Sequence, residues 1–247
     1  MSRFQTLSPI DGSVYCEREY HTAKQIDQAL NASLLAQQHA NSQPLAIRQT
    51  WAQAIIDYFI NHADAIAEEI AWQMGRPCHQ ARGEINGLVE RAQHMMQIAE
   101  QALRPIEYHD QPHATRFIHR APVGTVLVLA PWNYPYLTAV NTIIPAILAG
   151  NSVILKHSTQ TPLCAERFQA ALDHTDAPVG LFQHLHLTHE QVSTVVQDTR
   201  IHFVAFTGSV NGGQRIQQAA NQRFIPIGLE LGGKDPAYVR ADADLDP

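Results

Sequence analysis

Cysteine is scarce here: Cys16, Cys78 and Cys164 are the only three in 247 residues, and no two form a Cys-X-X-Cys pair. That pattern argues for a reducing compartment rather than a disulfide framework. No apolar run approaches the length of a membrane span, and the longest, 143–149, is interrupted by Pro145. The first residues, Met1-Ser2-Arg3-Phe4-Gln5, lack the apolar core of a signal peptide, so the expected location is the cytoplasm. There is no basic run and the formal net charge is -6, which argues against a nucleic-acid partner. Neither an internal repeat nor a low-complexity segment is present. What remains is an ordinary globular composition, long enough to bury a substantial core.

Two patterns divide the chain. In the first part, Trp51, Ile55, Ile56, Phe59, Ala63, Ile66, Ile70 and Met74 recur near helical spacing and predict one helix over 46–74. Gly75-Arg76-Pro77 stops it, and a second helix is expected over 80–102. The segment 104–120 is Pro-punctuated and His-rich, with an alternating stretch at 114–119 that suggests a short hairpin arm. From Val123 onward the reading changes to strands alternating with helices: strands near 124–130, 152–156, 181–187, 201–206 and 225–230, helices near 136–149, 162–172, 190–197 and 209–220. The first strand is apolar throughout, as for a strand buried on both faces. The expected fold class is α/β, a parallel sheet with helices on both faces, preceded by N-terminal helices. Ligands in such sheets bind at the carboxyl ends of the strands, where Asn133, Lys156, Gly208-Ser209 and Glu230 all fall. The terminal 242–247 segment is acidic and turn-like.

Four ordered motifs carry a resemblance to a known family: 130–135 (Ala-Pro-Trp-Asn-Tyr-Pro), 155–162 (Leu-Lys-His-Ser-Thr-Gln-Thr-Pro), 206–209 (Phe-Thr-Gly-Ser) with Gly213, and 229–234 (Leu-Glu-Leu-Gly-Gly-Lys). With Ser8-Pro9-Ile10-Asp11-Gly12, which is similar to that family's N-terminal turn, they cover nearly the whole chain. The chain resembles the NAD(P)-dependent aldehyde dehydrogenases. The resemblance implies an atypical Rossmann-like cofactor domain, consistent with the absence of a Gly-X-Gly-X-X-Gly signature. It divides the chain into an N-terminal helical part of the cofactor domain (1–103), a bridging or oligomerisation arm (104–121), the NAD(P)-binding core (122–232) and a stub of the catalytic domain (233–247).

The resemblance also implies roles. Asn133, read alone, would serve its own loop backbone; within its motif it is expected to donate to a developing oxyanion. Glu230 is expected to activate water, in an apolar setting that would raise its pKa. Pro131, Trp132, Lys156, Ser158, Thr159, Gly208, Ser209, Gly213, Leu231 and Gly232 are the expected cofactor contacts. Gly208-Ser209 at a helix start can be read as a cap or as a phosphate site. Lys156 can be read as a solvated strand-end cation or as a contact to the adenosine ribose or its phosphate. Thr159 stands where NAD-preferring members often place a Glu, so NADP is permitted alongside NAD. His184, His186 and His189 have a spacing that could suggest a metal site, but the sequence shows no further ligand nearby and no metal is expected.

None of the three cysteines lies where the family places its nucleophile, which would follow Glu230 by a few dozen residues. The expectation is therefore a cofactor-binding half: part of a dehydrogenase that oxidises an aldehyde to an acid, completed by a missing C-terminal half or within a homo-oligomer. The alternative is a truncated, inactive relative that binds dinucleotide or serves as an interaction subunit. No membrane partner is expected.

Overall fold

Residues 2–111 and 113–244 are described by the computed structural model of the chain. At its centre five parallel strands lie in the order β7-β6-β5-β8-β9. These are β5 (Thr125–Ala130), β6 (Ser152–His157), β7 (Phe182–His184), β8 (Phe203–Gly208) and β9 (Ile227–Leu231). Successive side chains on a strand point to opposite faces, and both faces are apolar here. Val126, Val128, Ala130, Val153 and Leu155 face one core; Leu127, Leu129, Ile154 and Val204 face the other.

The first core is filled by α5 (Pro135–Leu148) and α6 (Leu163–Leu172), backed by α2 (Leu45–Asn61), α3 (Ala63–Met74) and α4 (Cys78–Leu103). Phe59, Tyr136 and Phe168 meet at its centre, with ring centroids 4.9 to 5.7 Å apart. The second core is filled by α1 (Ala23–Ser42), α7 (His189–Gln197) and α8 (Val210–Ala220). No described helix is long and apolar enough to cross a membrane.

The strand–helix alternation after residue 123 agrees with the sequence reading to within a few residues. The N-terminal part does not. The helix expected over 46–74 is two, α2 and α3, separated at His62, whose backbone (φ −114, ψ 14) leaves the helical region. His62 N donates to Tyr58 O and its carbonyl receives Ile66 N, so one residue ends α2 and begins α3. A one-residue break hardly disturbs hydrophobic periodicity, which is why it was invisible. Gly75, as expected, closes α3 in the left-handed region (φ 79).

Unforeseen were α1, rich in Ala and Gln, and the antiparallel pair β1 (Arg3–Leu7) and β2 (Val14–Glu19). The β1–β2 ladder is dressed with Arg3, Glu17 and Glu19 ion pairs rather than an apolar stripe, so it carries no strand signature. The 8–12 motif is its turn, with Asp11 accepting from Ser13 N at 2.9 Å. The expected arm is a hairpin, β3 (Ile106–Gln111) against β4 (Ala114–Ile118). The last three residues of the acidic 242–247 segment lie outside the described residues.

Candidate functional site

Strand order reverses beside β5: one crossover leads to β6, while β8 returns on the other side. The carboxyl ends of β5, β6 and β8 open there into a cleft of about 840 Å³, the location expected for a ligand in an open α/β sheet. Pro131 and Trp132 line it after β5, Lys156 and Ser158 from the end of β6, and Gly208 and Ser209 after β8. Six of the residues picked from the sequence thus share one cavity. Asn211, Gly212 and Arg215 of α8, and His189, Glu190 and Ser193 of α7, add polar lining that the sequence does not single out as cofactor contacts.

Ser209 caps α8, its hydroxyl accepting Gly212 N at 3.1 Å. The cap and anion readings are compatible, because the other first-turn N–H groups have no acceptor within the helix. Gly208 and Gly212 have a second reason to be glycine. A Cβ on either would lie 2.7 or 2.6 Å from Cζ of Phe206, whose ring lies against them. Lys156 makes no hydrogen bond or ion pair among the described residues, and partial burial lowers its amine pKa. A half-buried cation at the edge of a cleft, with no carboxylate partner among the described residues, is suited to an anionic ligand.

The remaining expected cofactor contacts lie elsewhere. Gly213 is buried, and its added Cβ would meet Leu231 Cδ2 at 2.7 Å, so it serves the packing of α8 on β9. Thr159 does not line the cleft; its carbonyl accepts from the Thr6 hydroxyl at 2.8 Å, tying the turn to β1. Leu231 and Gly232 are exposed and outside the cleft lining.

Asn133 is exposed at the end of the β5–α5 loop, and its Oδ1 accepts from Tyr134 N at 3.0 Å. That bond orients the side chain and leaves the amide N–H groups to donate. Two residues that had no role in the sequence reading hold this loop. Arg76 donates to the Asn133 carbonyl and to Glu84, and its guanidinium sits 4.6 Å from the Tyr134 ring centroid. Glu84, 3% exposed, accepts from Tyr136 N at 2.8 Å and Leu137 N at 3.3 Å, capping α5 from another helix. Burial raises the Glu84 pKa, against the pull of those N–H groups and Arg76. Their only signals were an Arg inside a helix stop and an acid on the buried face of α4.

His157 is a third unforeseen support. Fully buried, it holds the Pro135 carbonyl through Nε2 at 3.1 Å, while Nδ1 accepts from Ser158 N at 3.0 Å. Burial pushes its pKa down to about 4, so it is neutral near pH 7. It joins the 131–135 loop to the turn after β6.

Glu230 stands apart from the cleft. It pairs in register with Thr207 and lines a separate hollow of about 400 Å³ beside α5, with Asn141, Thr142, Phe203 and Ala205. The apolar enclosure expected around it is not supplied by the described residues: its side chain is exposed. The cysteines are equally remote. Cys16 lies on β2, Cys78 begins α4, and Cys164 is buried against Tyr136, where burial pushes its thiol pKa well up.

The profile of the aldehyde dehydrogenase family matches residues 1–247. The chain belongs to that family. It is 33% identical over 210 residues to a protein named succinate-semialdehyde dehydrogenase [NADP(+)] from Mycobacterium avium, covering 84% of this chain and 44% of that protein. It is 29% identical over 241 residues to a 3,6-anhydro-alpha-L-galactose dehydrogenase of Streptomyces coelicolor, covering 97% and 49%. Among solved structures, the succinic semialdehyde dehydrogenase of Streptococcus pyogenes, in complex with NADP+, superposes with a TM-score of 0.90. It is 26% identical, over 98% of this chain and 53% of that one. The chain therefore spans about half the length of the aldehyde dehydrogenases it matches, and its sheet is their Rossmann-like domain.

Proposed function

We propose that this chain is the cofactor-binding portion of an NAD(P)-dependent aldehyde dehydrogenase. The observation that carries the reading is the single cleft at the β5/β8 reversal. It unites Trp132, Lys156, Ser158, Gly208 and Ser209 with the N-terminus of a helix. An anionic dinucleotide fits that chemistry: free N–H groups at the start of α8 suit a pyrophosphate, and Lys156 with Ser158 suits the adenosine ribose or a 2′-phosphate. The nicotinamide supplies the hydride acceptor when bound. Thr159 stands where the resemblance places the Glu of many NAD-preferring members, which permits NADP, and two relatives are named for NADP.

In this reading Asn133, held by Arg76 and Glu84, donates to the oxyanion that develops on the aldehyde carbon's oxygen. Glu230 accepts a proton from the water that releases the acid, a step that disfavours transfer of the acyl group to another thiol. The nucleophilic thiolate is assigned to another part of the dehydrogenase, because none of the three cysteines lines the cleft. Exposure of Glu230 fits the same reading, in which residues outside this chain enclose it. The 104–121 arm is proposed to pair with another subunit, since Ile106, Tyr108, Phe117 and Ile118 are all exposed on it.

The test is titration of the chain with NADPH and NADH, followed by nucleotide fluorescence. Saturable binding that weakens at least severalfold in Lys156→Ala supports the reading. Absence of binding to either nucleotide, with the chain folded by circular dichroism, would reject it.

A further inference from the structure

The structure assigns a second binding site to this chain, for a divalent transition metal, built by Glu166, His184 and His186 outside the dinucleotide cleft. His184 ends β7, and His186 follows two residues later, the spacing that places both side chains on one side of an extended segment. Glu166, from the first turn of α6, reaches the same point, and one ligand atom from each of the three lies within 4.8 Å of the others. His189, the third histidine of this stretch, is not part of the trio: it opens α7 and lines the cleft.

Two observations favour a metal over a purely structural tie. First, His184 Nδ1 is buried without a hydrogen-bond partner among the described residues, which is a cost unless something else occupies its lone pair. Second, the carboxylate is already oriented: Arg18 donates from Nε to Oε1 at 2.6 Å and from Nη2 to Oε2 at 2.9 Å. Outer partners of this kind fix metal-binding carboxylates elsewhere.

His186 Nε2 lies 3.2 Å from Glu166 Oε1, close to the roughly 3.4 Å that separates two ligands on one tetrahedral zinc. A metal would replace the proton shared by that pair, with His184 as the third ligand. His21 contributes no ligand through Nδ1, which accepts from His186 N at 3.0 Å. Two imidazoles and one carboxylate suit Zn²⁺ or Co²⁺ and leave a position open to water. The Arg18 cation opposes a dication, so binding is expected to be weaker than at a closed structural zinc site. A hollow of about 490 Å³, lined by His21, Gln183 and His184, gives a route of entry.

The experiment is titration of the chelator-stripped chain with Co²⁺, read by its visible absorption, then displacement by Zn²⁺. The expected result is one equivalent per chain, with affinity falling at least about tenfold in His184→Gln and unchanged in His189→Gln. His184→Gln leaves the Arg18–Glu166–His186 contacts in place, so folding should survive. In the unmodified chain, the ring-nitrogen resonances of His184 and His186 should move on adding Zn²⁺ while those of His189 stay. No stoichiometric band, equal binding in His184→Gln, or ring shifts confined to other histidines would each overturn the site.

Discussion

At the scale of single residues, the 131–135 loop depends on a buried acid more than on its own prolines. Glu84 takes two α5 N–H groups and the Arg76 guanidinium at once. Glu84→Ala strands all three, and breaking such a buried pair is expected to cost about 3 kcal/mol in urea unfolding. Glu84→Gln keeps an acceptor oxygen and should cost less. Asn133→Ala makes the opposite prediction. The side chain is exposed and, among the described residues, bonded only to the neighbouring Tyr134 N, so stability should change little. In an assembled dehydrogenase, kcat should fall on the order of a hundredfold with nucleotide affinity retained. Equal losses of kcat and nucleotide affinity would contradict the oxyanion role. Asn133 could be read from its motif, whereas Arg76 and Glu84 could not. Their importance comes from a contact across more than fifty residues of sequence.

At the scale of elements, α8 shows how one helix start serves both fold and ligand. Ser209→Ala removes the hydroxyl that accepts Gly212 N, and loss of such a cap is worth about 1 kcal/mol. If the first turn also receives a pyrophosphate, the same variant should weaken NADPH binding. A drop in melting temperature with unaltered binding would leave Ser209 as a cap alone. The parallel strands were legible because burial on both faces makes them continuous apolar runs. The break between α2 and α3 was not, because a single non-helical residue leaves the apolar spacing almost intact. The β1–β2 pair was hidden for the contrary reason, its strands being held by ion pairs and backbone ladder rather than an apolar face.

At the scale of the whole molecule, stability should respond to mild acid. His157 titrates at about 4 in the folded chain against 6.5 as an unperturbed group. Between those values the unfolded chain binds a proton that the folded chain refuses. Stability is therefore fully present above about pH 6.5 and declines as pH falls toward 4, by up to about 1.4 kcal/mol per pH unit from this residue. Urea unfolding between pH 7 and 4.5 should show that slope, shallower in His157→Gln; a flat profile would contradict it. Association is a second whole-molecule property. Phe117 on the exposed arm is 61% accessible, and Phe117→Glu should shift the chain toward monomer in light scattering without altering its circular dichroism. An unmodified chain that is already monomeric would remove the arm from consideration.

By itself, the sequence determined the α/β class, the parallel order of strand and helix, the family, and the loops that reach the strand ends. Those follow from periodicity and from short motifs whose chemistry is local. Tertiary structure decided which of those residues meet. It put Lys156 and Ser209 into one cleft, turned Glu230 to the other face of the sheet, and gave Gly213 to helix packing. It also set Glu166 beside His184 and His186. Each outcome depends on strand register and on which face of the sheet a helix covers, quantities that arise only when distant segments pack together.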